Sequence, residues 1–113
     1  MRWTFLNKRI YNKYVAITWD ESKRASNLAK HGLDFRDAGE VLESRYRLDV
    51  PVVRHGEPRV LALSYSVKFL TVLCAIVVSR GGDETRIISF RHASEQEREV
   101  YHDWLENEYD EDE

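Results

Sequence analysis

The sequence predicts one α+β domain: a short strand, two helices, an antiparallel sheet of about four strands, and one closing helix. Three observations carry this. Apolar residues recur at helical spacing between Asp20 and Leu42. From Arg45 the period changes to two, as a half-buried strand requires. After Ser94 helical spacing returns. At 113 residues the chain is the size of a single domain. The body is placed at residues 14–108, with an N-terminal extension at 1–13 and an acidic tail at 109–113.

Residues 1–13 show no clear period. Tyr14–Thr18 reads as a short strand feeding the first helix. Asp20 is the N-cap of that helix, its carboxylate facing free backbone N–H groups of the first turn. Ala25, Leu28 and Ala29 form an apolar stripe. Gly32 stands where a left-handed residue ends a helix, so Lys30 and His31 occupy the last turn, favoured there by the helix dipole. A second helix follows at once, capped by Asp34, stapled by Leu33 and Ala38, with Phe35, Ala38, Val41 and Leu42 facing the core. Two helices this close must turn sharply, which holds Lys30 and His31 at a rigid corner.

Tyr46, Leu48 and Val50 then alternate with charged residues, and Pro51 ends this strand or keeps it at an edge. His55–Pro58 is a turn, and Arg59–Tyr65 is the next strand. Phe69–Val78 is nearly all apolar, which places it at the centre of the sheet, covered on both faces. Gly81 and Gly82 make a hairpin turn leading to a strand over Thr85–Phe90. Ser94 and Glu97 form a capping box, and Val100, Tyr101, Trp104 and Leu105 give the last helix a docking face. Trp19, Phe35 and Trp104 are read as core.

The net charge of −3 speaks against a nucleic-acid binder until its distribution is considered. Six acids lie in the last eight residues; without them 17 basic residues face 14 acidic ones. The body is mildly basic, and the tail is a solvated end or a screen for a basic site. No apolar run is long enough to span a membrane, and the N-terminus lacks the apolar core of a signal peptide. A single cysteine, Cys74, sits in an apolar run and reads as a buried thiol. These features fit the cytoplasm.

Metal chemistry finds no support in spacing: His31, His55, His92 and His102 include no helical pair, and there is no second cysteine. No cofactor is expected. The remaining chemistry is cationic. Arg59, Arg80, Arg86 and Arg91 stand at strand ends or beside turns, with Lys30 and His31 at the helix corner. Arginine binds two phosphate oxygens at once and stays charged. Histidine titrates near neutrality and can carry a proton. Structural readings stand beside these: the dipole accounts for Lys30 and His31, a surface position beside the hairpin turn for Arg80, and exposed strand charges for Arg59 and Arg86. Arg91 differs, because a cation just before a helix N-terminus is disfavoured.

The stretch Trp19-Asp20, Lys23, Asn27, Lys30-His31-Gly32 and Phe35 resembles the start of the BrnT-type toxins, the toxin half of bacterial type II toxin–antitoxin pairs. Arg86-Ile87-Ile88-Ser89-Phe90-Arg91-His92-Ala93-Ser94, followed by Glu97, is similar to the run that leads into the family's last helix. Gly56-Glu57 with Arg59 adds a third, weaker match. The resemblance implies a RelE-like fold and a metal-independent endoribonuclease that inhibits translation. It implies Lys30, His31, Arg59, Arg80 and Arg91 as active-site residues, with Arg86 and His92 toward RNA. His92 departs from the family's usual Arg or Lys, which lowers the charge or supplies a titratable acid. Implied partners are a ribbon–helix–helix antitoxin, RNA, and promoter DNA reached only through the antitoxin, in a homodimer or a 2:2 heterotetramer. Two rivals remain open: a catalytically weak co-repressor with its antitoxin, and a plain RNA- or ribosome-binding protein.

Overall fold

The computed structural model describes residues 8–12 and 15–110. Their elements run β1 (Lys8–Asn12), β2 (Val15–Thr18), α1 (Glu21–His31), a 3-10 turn (Phe35–Asp37), α2 (Gly39–Leu42), β3 (Leu48–Arg54), β4 (Glu57–Ser66), β5 (Thr71–Ser79), β6 (Glu84–His92) and α3 (Glu95–Asp110). The fold is α+β, with one six-stranded sheet in the order β1-β2-β6-β5-β4-β3. This corrects the expected antiparallel sheet of about four strands. β2 pairs in parallel with β6, Ala16 facing Glu84 and Thr18 facing Arg86, so the sheet is mixed. β1 lies in the stretch without a readable period and adds an antiparallel edge to β2. Residues 1–7, 13, 14 and 111–113, which include most of the expected extension and part of the expected tail, lie outside the described residues.

The apolar strand is central, as its composition demands: β5 pairs with β4 on one side and β6 on the other. Alternation along it splits the core in two. Leu73, Ala75 and Val77 face one way, against Trp19, Leu33, Phe35, Ala38, Val41 and Leu42. Val72 and Cys74 face the other way, with Leu63, Ala93 and Tyr101 of α3. The β3–β4 hairpin closes through His55 and Gly56, both at positive φ (53° and 74°), the conformation a two-residue turn needs. Pro51 lies within β3 and does not end it; the strand is at the sheet edge, where the missing N–H harms no ladder.

Two expectations for the helices fail for identifiable reasons. The second helix is a 3-10 turn followed by one turn of α-helix. Asp34 caps it as expected, accepting the Arg36 N–H, but the Asp37 and Ala38 N–H groups bond the carbonyls three residues back, Asp34 and Phe35. Bonds of the α type begin only at Leu42, whose N–H reaches the Ala38 carbonyl. The expected stripe of α1 is not its docking face: Ala25 and Ala29 are exposed, and Leu28 is 40% exposed. α1 docks through Asn27, the one residue of the helix buried against the sheet.

Asn27 does the work of a missing strand. β2 leaves β6 after Arg86, so among the described residues no strand lies beside the rest of that edge. The Asn27 side-chain amide donates to the Phe90 carbonyl at 2.8 Å, and its oxygen accepts the Phe90 N–H at 3.1 Å. The same amide donates to the Leu33 carbonyl at 3.1 Å, tying the corner after α1 to the sheet. β6 also carries a bulge: Ile76 faces Ser89 and Val77 faces Ile87, leaving Ile88 as the extra residue. The bulge puts Ile87 and Phe90, three residues apart, into one core cluster.

Candidate functional site

The corner after α1 is built by its caps. Asp20 accepts the Ser22 and Lys23 N–H groups at the start. At the end Gly32 adopts φ 73° and its N–H bonds the Leu28 carbonyl. Arg24 then clamps the corner from outside, its Nε and Nη2 donating to the two oxygens of Asp34, each at 2.8 Å. That bond, opposed by partial burial, holds the Asp34 carboxyl below its usual 3.8. A lowered carboxyl pKa adds stability above the unfolded value and loses it as pH falls. Wild type should therefore be more stable than Asp34→Asn at neutral pH, and the gap in melting temperature should close below 3.8.

The structure gathers the seven predicted residues into two groups, one at each end of α1. At the C-terminal end stand Lys30, His31, Arg91 and His92. Lys30 and His92 are exposed; His31 and Arg91 are half-buried. Partial burial lowers the His31 pKa, and the charges of Lys30, Arg91 and His92 push it the same way. Its imidazole is thus neutral near pH 7.

Arg91 is held in place without being used up. Its Nη1 and Nη2 donate to the two oxygens of Glu97 at 2.8 and 3.0 Å, and Nη1 also donates to the His92 carbonyl at 3.2 Å. A guanidinium has five N–H donors. The Nε–H and one Nη2–H remain, side by side, a fork that matches two phosphate oxygens. Glu97 is itself fixed by the capping box, accepting the Ser94 N–H while Ser94 Oγ accepts the Glu97 N–H. Cys74 lies opposite Arg91 in the register; burial pushes its thiol up to about 12, so it is no nucleophile.

The second group lies at the N-terminal end of α1. Arg59, Arg80 and Arg86 line a cleft of about 250 Å³ with Asp20, Lys23 and Glu57. Glu57 accepts from Arg59 at 3.0 Å, and Glu84 from Arg86 at 3.5 Å. The Arg86 Nε is buried without a hydrogen-bond partner. Arg80 is exposed at the end of β5. Arg86 and Arg91 are five residues apart on β6, about 16 Å at the rise of a strand. Sequence reasoning placed these residues correctly at strand ends but could not show that they form two groups. It also missed Asn27 and Glu97 as the residues that position the corner and Arg91. The Ser94/Glu97 capping pattern was the one signal that could have exposed Glu97. Among the described residues no three His, Cys, Asp or Glu side chains gather as a metal site would require.

Fold and site together define a small α+β protein with two cationic clusters suited to a polyanion. The model of the family described as "Ribonuclease toxin, BrnT, of type II toxin-antitoxin system" matches residues 19–97. The chain belongs to that family. Among solved structures, the Brucella abortus ribonuclease toxin BrnT is 33% identical, with a TM-score of 0.55, over 70% of this chain and 96% of that one. No curated protein matches the chain. No described helix is long and apolar enough to cross a membrane.

Proposed function

We propose that this chain is a metal-independent endoribonuclease that cleaves RNA at the corner formed by Lys30, His31, Arg91 and His92. The observation that carries the reading is the open fork of Arg91 beside a neutral His31. His31 accepts the proton of the 2′-hydroxyl, whose oxygen attacks the adjacent phosphorus. Arg91 and Lys30 stabilise the dianionic phosphorane. The bond from phosphorus to the 5′-oxygen breaks, and His92 supplies the proton to that oxygen. The products are a 2′,3′-cyclic phosphate and a 5′-hydroxyl. Arg59, Arg80 and Arg86 hold flanking phosphates. A RelE-like relationship and inhibition of translation through mRNA cleavage are in keeping with this chemistry. A type II toxin is neutralised by an antitoxin, here read as a ribbon–helix–helix protein.

The purified protein should cut RNA in excess EDTA and leave cyclic phosphate ends. No cutting in EDTA, with activity restored by a divalent ion, would overturn the mechanism. The pH profile tests His31 separately. With its pKa lowered, the acidic limb of the profile should lie below 6.5. Lys30→Gln removes one of the depressing charges, so the limb should move up in pH. A limb that stays put excludes His31 as the base.

One observation favours a second reading. Arg59, Arg86 and Arg91 each hold a carboxylate, which reduces the net positive field. A weak or inactive enzyme that represses jointly with its antitoxin would show this. Growth arrest on expression without the antitoxin separates the two.

A further inference from the structure

An open groove of about 920 Å³ runs between α3 and the end of β4, and none of the seven residues of the two cationic groups lines it. Its walls include Tyr46, Tyr65, Val67 and Leu105, and its rim carries Asp103 and Glu106. Tyr65 is 44% and Val67 74% exposed. The turn that presents them is fixed: Glu40 accepts from Ser66 Oγ at 2.6 Å and from the Val67 N–H at 2.7 Å. Next to them Leu70 is 72% exposed and sits at φ 59°, a left-handed conformation that leucine rarely takes. Apolar side chains are thus displayed in water from a braced turn.

The charge on α3 makes the groove one-sided. Its sequence holds seven acids and one arginine. Glu95, Glu99 and Asp103 follow at i, i+4, and Glu106 at i+3 from Asp103, spacings at which like charges repel. The last turn has no basic residue, although the helix dipole favours cations there. The helix therefore carries an electrostatic deficit that a cationic partner would relieve. RNA would be repelled by this face.

We infer that this groove is the anchor site for a basic amphipathic segment of the antitoxin. The inference rests on the reading of the chain as the toxin of a pair. A cationic segment cannot settle on the cationic corner, so its binding energy must come from elsewhere. α3 supplies the opposite charge, and Tyr65, Val67 and Leu105 supply apolar contact. The rest of the antitoxin can then reach over the RNA site.

The test uses the full chain and the protein encoded beside it, with Kd measured by calorimetry for wild type, Val67→Asp and the double variant Asp103→Lys/Glu106→Lys. All changed side chains lie on the surface or rim, and melting curves confirm folding. Binding should weaken tenfold or more in each variant, while RNA cleavage by the free proteins is unchanged. Wild-type affinity in both variants would overturn the anchor site while leaving the pair intact. No binding by wild type would overturn the pairing itself, and the anchor with it. A wild-type chain that dimerises alone, and becomes monomeric as Val67→Asp, would assign the groove to a second copy and overturn the proposal.

Discussion

Arg91→Ala should lower the cleavage rate by roughly 10²–10³, the loss expected for one preorganised donor to a developing oxyanion. Arg91 is positioned before substrate arrives: Glu97 grips one side of its guanidinium and leaves the other open. The loss should fall on kcat, because the interaction strengthens as charge accumulates on the phosphorane. Arg91→Lys should recover only part of the rate, since an ammonium lacks the fork. Arg59→Ala, Arg80→Ala and Arg86→Ala should behave differently. Their group lies about 16 Å along β6. It should act on flanking phosphates, raising KM more than it lowers kcat. Steady-state kinetics on one RNA, with melting curves for each variant, separates these roles. Equal kcat losses in both groups would mean that a single site draws on both.

Local chemistry explains why much of the fold was legible. Asp20, Gly32, Asp34 and the Ser94/Glu97 box act on backbone groups within a few residues, so they can be read in sequence and are found in place. The continuous apolar run of β5 names its central position in the same way. What could not be read depends on partners far away in the chain. β2 and β6 are more than sixty residues apart, and no local signal announces that they pair in parallel. The bulge at Ile88 puts Ile87 and Phe90 in one core against simple alternation. The docking face of α1 misled for a related reason. Leu28 looks like the residue to bury, but the contact is made by hydrogen bonds from Asn27, which apolar periodicity does not register.

The site followed the same division. Residues at helix and strand ends were recognisable as positions for chemistry. Their sorting into two groups depends on how α1 lies along β6, with Asn27 fixing that alignment near Phe90. Arg91 and His92 follow Phe90 directly, and Lys30 and His31 follow Asn27 within one helical turn. One buried amide therefore sets the distance between the two halves of the proposed cleavage corner.

Asn27→Leu should then be the most damaging single change on α1. It keeps the branched heavy-atom skeleton and removes the amide. The Phe90 N–H, the Phe90 carbonyl and the Leu33 carbonyl would all lose their partner in a buried place. Each orphaned group costs about 1–3 kcal/mol, so a total of about 4 kcal/mol is expected. For a domain of this size that lowers Tm by about 15 °C or more. Asn27→Asp is a sharper probe, because it matches the shape and keeps the acceptor for the Phe90 N–H. It cannot donate to either carbonyl when ionised, and burial of its charge is unfavourable. It should be destabilised at neutral pH and recover partly in acid, where a protonated carboxyl regains one donor. Cleavage should fall in both variants even at temperatures where they remain folded, because the corner loses its reference point on β6. Thermal melts across pH, paired with cleavage at low temperature, check this. If Asn27→Leu melts within 3 °C of wild type, which is under about 1 kcal/mol, the amide does not hold α1 to the sheet edge.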